Sequence, residues 1–210
     1  MAELGQIERP AADSFSGKRK LYCVPSVFPV EDAPEEYRRL VDSYWDQAEE
    51  QIRKLETAGK VTKIFCEGIH KEGEEALGML SAMNDRANRV VAEKVAAGAV
   101  LLPIEREDIV TPFLDWRNCL AVVRTQEVYE RVLEFYRELL DRRLKYMISV
   151  IDGNLFEGES GMLILGDDDR VRLQLPPDIE IFLVTPPSYD DLVRWVRQRL
   201  QELQGGGGQE

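Results

Sequence analysis

Apolar residues fall into two patterns along this chain, short continuous runs and stripes that recur at helical spacing, and their alternation predicts alternating strands and helices. Residues 20–28 (KLYCVPSVF) read as a first strand, ended near Pro25 because proline cannot donate to a ladder. Asp32, Ala33, Pro34 and Glu35 read as a helix start capped by Asp32. Tyr37, Leu40, Val41, Tyr44, Ala48, Ile52 and Leu55 then form one stripe, with Gly59 as the stop. The β-branched run 61–67 suits an interior strand. Residues 72–97 are helical in pattern with a break near Asn84 and Asp85, and Gly98 precedes a third strand over 99–104.

In the second half, Thr111 and Pro112 have the cap and first-turn residues of a helix start. A long helix over 125–151 carries Val128, Val132, Tyr136, Leu140, Met147 and Ile151 on one stripe. At ~100° per residue, Arg143 falls within roughly 20–40° of Tyr136 and Met147, so a charge sits inside the apolar face. Strands over 161–165 and 179–184 follow, then a helix capped by Ser188 and Asp191 whose Leu192, Val196, Leu200 and Leu203 mark one face. Strand–helix alternation at this spacing argues for parallel pairing through crossover helices. The expectation is a single α/β domain over 19–203, with a mostly parallel central sheet and a long helix before the last two strands. A loose arm over 1–18 and a disordered glycine-rich tail over 204–210 flank it.

Composition narrows the function. A net charge of -12 over 210 residues argues against nucleic acid as the main partner, because phosphate contacts need clustered Lys and Arg. No apolar run reaches membrane-spanning length and the start lacks a signal pattern, so neither a membrane nor export is expected, and the expected location is cytoplasmic. The single histidine excludes a zinc site built from two or three imidazoles. Cys23, Cys66 and Cys119 are widely spaced and odd in number, which argues against a disulfide framework. Trp195 beside Val196 widens the apolar band of the last helix and leaves a homo-oligomer through that helix open.

Ligands of parallel sheets gather at the carboxyl ends of the strands, and there the chain places its candidate chemistry. Glu67 ends the second strand before a glycine; it is a general base or cation ligand, or else a helix cap. Arg143 snorkels, pairs with a strand-end carboxylate such as Glu67, or faces a substrate oxyanion. His70 and Arg106 are candidate substrate contacts, against a reading as turn and surface charge; Glu105, Glu107 and Asp108 belong to the same charge run. Asp167 and Asp169, with Asp168 between them, form either a charged turn or an oxygen-ligand site for Mg²⁺ or Mn²⁺. Glu67 and Arg143 would then be the catalytic pair, acting on a small-molecule or peptide ligand that the residues do not name.

The order of elements resembles the TraB, Tiki, ChaN and erythromycin-esterase-like superfamily over about residues 20–200. The corresponding pieces are Phe65-Cys66-Glu67-Gly68, Arg143 with Met147, Leu163-Ile164-Leu165-Gly166, and the charged segment from Ile104 to Ile109. The resemblance implies a hydrolase-like site using Glu67, Arg143 and Arg106. It also implies histidines where this chain has Pro25-Ser26-Val27-Phe28 and Asp169. A diverged hydrolase-like protein with altered metal preference, and a non-catalytic binding or scaffold protein retaining the fold, are the two functional expectations.

Overall fold

The structure, a computed structural model, describes residues 17–30 and 32–205. The expected arm over 1–18 and tail over 204–210 lie mainly outside these residues. Among the described residues, five strands form one sheet: β1 (Arg19–Pro25), β2 (Val61–Cys66), β3 (Val100–Leu102), β4 (Ser160–Leu165) and β5 (Ile179–Leu183). Their order is β3-β2-β4-β1-β5, and every pairing is parallel. All six residues of β4 are buried, as befits the middle strand.

Among the described residues, seven helices connect and cover the strands: α1 (Glu35–Leu55), α2 (Gly73–Met83), α3 (Asp85–Ala96), α4 (Glu107–Val122), α5 (Gln126–Asn154), α6 (Asp167–Arg170) and α7 (Pro187–Gly205). Strand alternation divides the core into two layers. Tyr22, Val24, Ile64, Cys66, Met162 and Ile164 pack beneath α1, α2, α3 and the start of α7. Leu21, Cys23, Phe65, Leu163 and Leu165 face Met147 and Ile151 of α5. A third cluster joins Ile109 and Phe113 of α4 to Leu139 and Leu140 of α5. Among the described residues no helix is long and apolar enough to cross a membrane.

Several boundaries differ from the pattern for local physical reasons. The expected helix break is real: Asn84 caps α3 by accepting from the Ala87 N–H at 3.1 Å. Helix α4 begins at Glu107 rather than at Thr111, because Glu107 and Asp108 put carboxylates in the first turn, where they suit the helix dipole. Pro112 therefore lies in the helix interior, at the cost of one backbone bond. Pro34, not Asp32, precedes α1, and its cap has no side-chain bond. Helix α7 starts at Pro187, a favoured first-turn proline, which leaves Ser188 and Asp191 inside it. Gly59 is not a left-handed helix stop; a Cβ there would overlap Ser160 Oγ, so close packing on β4 requires it.

The last helix also departs from its pattern. Leu192 is buried, whereas Val196 and Leu200 are exposed. Trp195 turns to its own chain: its indole N–H donates to Glu36 at 3.0 Å and its ring lies 5.1 Å from that of Tyr37.

Candidate functional site

All five parallel strands release their chains at one edge of the sheet, and the residues that follow four of them are drawn together by backbone bonds between neighbouring strand ends. The Ser26 N–H donates to Leu165 O at 3.2 Å, and the Glu67 N–H donates to Ile164 O at 2.9 Å. The Glu105 N–H reaches Ile69 O at 3.0 Å. Ser26, Glu67, Glu105 and Gly166 thus follow β1, β2, β3 and β4 at the carboxyl edge. The chain enters β2 from β1 without β4 between them in sequence, and β4 fills that gap from the opposite helical layer. This reversal creates the kind of crevice at which open parallel sheets bind ligands.

Arg143 enters this edge from α5 and is 4% exposed. Its Nε donates to both Glu105 carboxylate oxygens at 2.9 and 3.0 Å, and Nη2 donates to Oε1 at 2.6 Å. Nη1 donates to Asp169. The guanidinium also lies 4.8 Å from the centre of the Phe113 ring. Burial works against its charge, but Glu105 and Asp169 outweigh that and raise its pKa. Of the alternatives for Arg143, the structure shows a buried and paired guanidinium at the strand ends rather than a snorkelling one, and its primary partner is Glu105 rather than Glu67.

Glu105 is the buried strand-end carboxylate that the sequence pattern conceals. The charge run around it points to solvent, yet Glu105 is 2% exposed and also accepts from the Gly68 N–H at 3.3 Å. The one signal in the sequence is its position directly after Ile104, which is wholly buried. With two carboxylates on one guanidinium, the Arg143 cluster carries a net negative charge. An oxyanion would meet that excess, so Arg143 is better suited to holding the site than to receiving negative charge.

Glu67 lies beside this cluster. One carboxylate oxygen accepts from the Gly166 N–H at 3.2 Å. Burial pushes its pKa up, and Asp169 adds to the rise; the Ser26 hydroxyl, the Gly166 N–H and Arg143 pull the other way without cancelling it. The neighbouring Gly68 has φ of 80°, and a Cβ there would overlap the terminal methyl of Met83. Gly68 thus lets the chain turn while Met83 lies directly over it.

Glu67, Arg143 and the aspartates of α6 open on one cavity of about 700 Å³, within the size range of small-molecule sites. Phe28, Met83, Val110, Phe113, Leu114 and Tyr136 supply its apolar lining. The other two expected contacts lie elsewhere. His70 and Arg106 line a separate depression with Glu107, Asp108 and Tyr146, and Glu105 also borders it. The Arg106 guanidinium is engaged by Asp108 at 2.9 and 2.7 Å. His70 Nε2 is 4.0 Å from Glu107, and its Nδ1 is buried without a hydrogen-bond partner among the described residues. Neither residue joins Glu67.

The segment read as a charged turn or cation site is the single-turn helix α6. Asp167 accepts from Arg170 Nε at 2.9 Å and from the Tyr189 hydroxyl, while Asp169 is held by Arg143. The two aspartates expected to hold Mg²⁺ or Mn²⁺ are thus turned to protein donors. Among the described residues, no group of three His, Cys, Asp or Glu side chains is arranged to hold a metal ion. Cys23 and Cys66 are buried free thiols, and burial pushes both pKa values up, that of Cys23 to about 12, so neither offers a thiolate. Searches of protein-family models, curated proteins and solved structures found no match for this chain.

Proposed function

We propose that the carboxyl edge of the sheet is the site of a diverged hydrolase-like protein in which Glu67 handles the proton. The observation that carries this reading is a carboxyl with a raised pKa opening on a cavity with apolar walls. Such a group accepts and returns protons more readily near neutrality than a solvated carboxylate. In a metal-free hydrolysis, Glu67 would take a proton from water as its oxygen bonds to a carbonyl carbon. It would return that proton to the leaving oxygen or nitrogen as the scissile bond breaks. Arg143, locked between Glu105 and Asp169, is a positioning residue that supports the Asp169 side of the cavity. The resemblance to the TraB, Tiki, ChaN and erythromycin-esterase-like superfamily supports the same reading through Glu67-Gly68 and Arg143 with Met147.

The test is turnover of a panel of p-nitrophenyl esters by the full chain and by Glu67→Gln, each with and without Mg²⁺ and Mn²⁺. Activity in the parent that drops about a hundredfold in the variant, with KM little changed, supports Glu67 as the base. Activity that requires a cation and is lost in Asp167→Asn would replace this mechanism with a metal-dependent one. A specific observation favours a second reading, a non-catalytic binding protein: the Arg143 charge is fully taken by carboxylates. Unchanged low background in parent and variant favours that reading.

A further inference from the structure

Most charged groups lining the strand-end cavity are engaged by protein atoms, but two are not. Arg117 of α4 and Asp168 of α6 are exposed, line the cavity, and have no ion-pair or hydrogen-bond partner among the described residues. By contrast, Arg143 is held by Glu105 and Asp169, Asp167 by Arg170 and Tyr189, and Glu67 accepts from Gly166. Three large apolar side chains of the same lining, Phe28, Met83 and Leu114, are each 38% exposed. They come from three separate segments, so the apolar surface belongs to the cavity rather than to one helix face.

Charge alone selects the ligand class. Three aspartates of the lining, Asp167, Asp168 and Asp169, stand against two guanidiniums, Arg117 and Arg143, before Glu67 is counted. A simple anion meets net repulsion, and a simple cation leaves Arg117 without a partner. We propose that the cavity binds a small zwitterion, an amine and a carboxylate separated by an apolar chain. The carboxylate pairs with Arg117, whose planar fork suits it, and the ammonium pairs with Asp168. The chain between them lies on Phe28, Met83 and Leu114. This deepens the functional reading above by naming the ligand class of the same cavity, while placing recognition on residues outside the proton-transfer group.

The experiment is calorimetric titration of the full chain with 6-aminohexanoate, 8-aminooctanoate and 11-aminoundecanoate, beside octanoate and octylamine. One member of the zwitterion series should bind about tenfold or more tightly than either half-molecule. Arg117→Gln should reduce it to the level of octylamine, and Asp168→Asn to the level of octanoate. Both residues are exposed, and near-ultraviolet circular dichroism should show both variants folded. Binding and ester turnover are read separately on the parent chain: zwitterion binding without turnover leaves the ligand class standing and overturns the catalytic reading, and turnover without zwitterion binding does the reverse. No binding across the series overturns the proposal, and so does octylamine binding as tightly as the zwitterion in parent and Arg117→Gln alike.

Discussion

Two buried ion clusters stand at opposite ends of β2, and they are built on different charge balances. At the amino end, Lys94 pairs with Glu56 at 2.8 Å, with side chains 7% and 16% exposed. The other Glu56 oxygen accepts from the Val61 N–H at 3.2 Å. Lys94 also lies 3.7 Å from Glu93, but that side chain is 54% exposed and screened by solvent, so the buried part of the cluster holds one cation and one carboxylate. At the carboxyl end, Arg143 meets two carboxylates, and Glu67 stands beside them under a raised pKa. The balanced cluster ties α1 and α3 to the start of a strand. The unbalanced one retains negative charge at a cavity, an arrangement that costs stability and that a purely structural contact does not need. Charge balance therefore distinguishes these two clusters where burial does not.

The largest expected effect comes from removing the cation of the unbalanced cluster. Arg143→Met leaves Glu105, whose side chain is 1% exposed, without its cation, and should cost about 3–5 kcal/mol in urea unfolding. Replacing Glu105 by Gln as well should recover only part of this, because Asp169 still lacks its partner. At the other end, Lys94→Met should cost about 1–3 kcal/mol, since Glu56 retains the Val61 N–H and some solvent. Adding Glu56→Gln there should recover most of the loss. Equal recovery in the two double variants would break the comparison.

How much of this contrast was legible in the sequence follows from what each feature depends on. The layers, the strand order in sequence and the Asn84 break depend on local spacing and capping, and the apolar pattern carries both. The inward direction of Arg143 was legible because helical periodicity fixes it against Met147. Its partner was not, because Glu105 sits in a run of four charged residues, and its place directly after Ile104 does not identify the helix that brings its cation. The fate of Asp167 was equally hidden, since Tyr189 reaches it from an element 22 residues away. His70 follows Glu67 by three positions, yet the turn at Gly68 and Ile69 sends it to the other side of Glu105. Sequence proximity at a strand end does not fix which cleft a side chain enters.

Smaller effects test the geometry that frames Glu67. Gly68→Ala forces a side chain onto φ of 80° and into the Met83 methyl, and should destabilise by about 1–2 kcal/mol. Gly98 has φ of 102° but open space where an alanine methyl would sit, so Gly98→Ala isolates the backbone strain. A double variant of Gly68→Ala with Met83→Ala should relieve the overlap and approach the Gly98→Ala value. If Met83→Ala gives no relief, Met83 does not cover Gly68 in solution.

The smallest effect has the opposite sign and reports directly on the unbalanced end. Glu67 has a folded-state pKa above its ordinary value, so the folded protein holds that proton more tightly than the unfolded chain. The associated stability is fully present below the ordinary glutamate range, roughly pH 4–5, and is lost as pH rises through the folded pKa. Glu67→Gln carries no such titration. Relative to the parent, the variant should therefore gain stability as pH rises from below that range toward neutrality, and then level off. Unfolding free energies of the parent and the variant measured from pH 3.5 to 8 provide the check. A Glu67→Gln variant that loses stability relative to the parent as pH rises would mean that the folded protein favours the ionised carboxylate. The charge excess at the carboxyl edge would then be compensated in solution, and the contrast between the two ends of β2 would disappear.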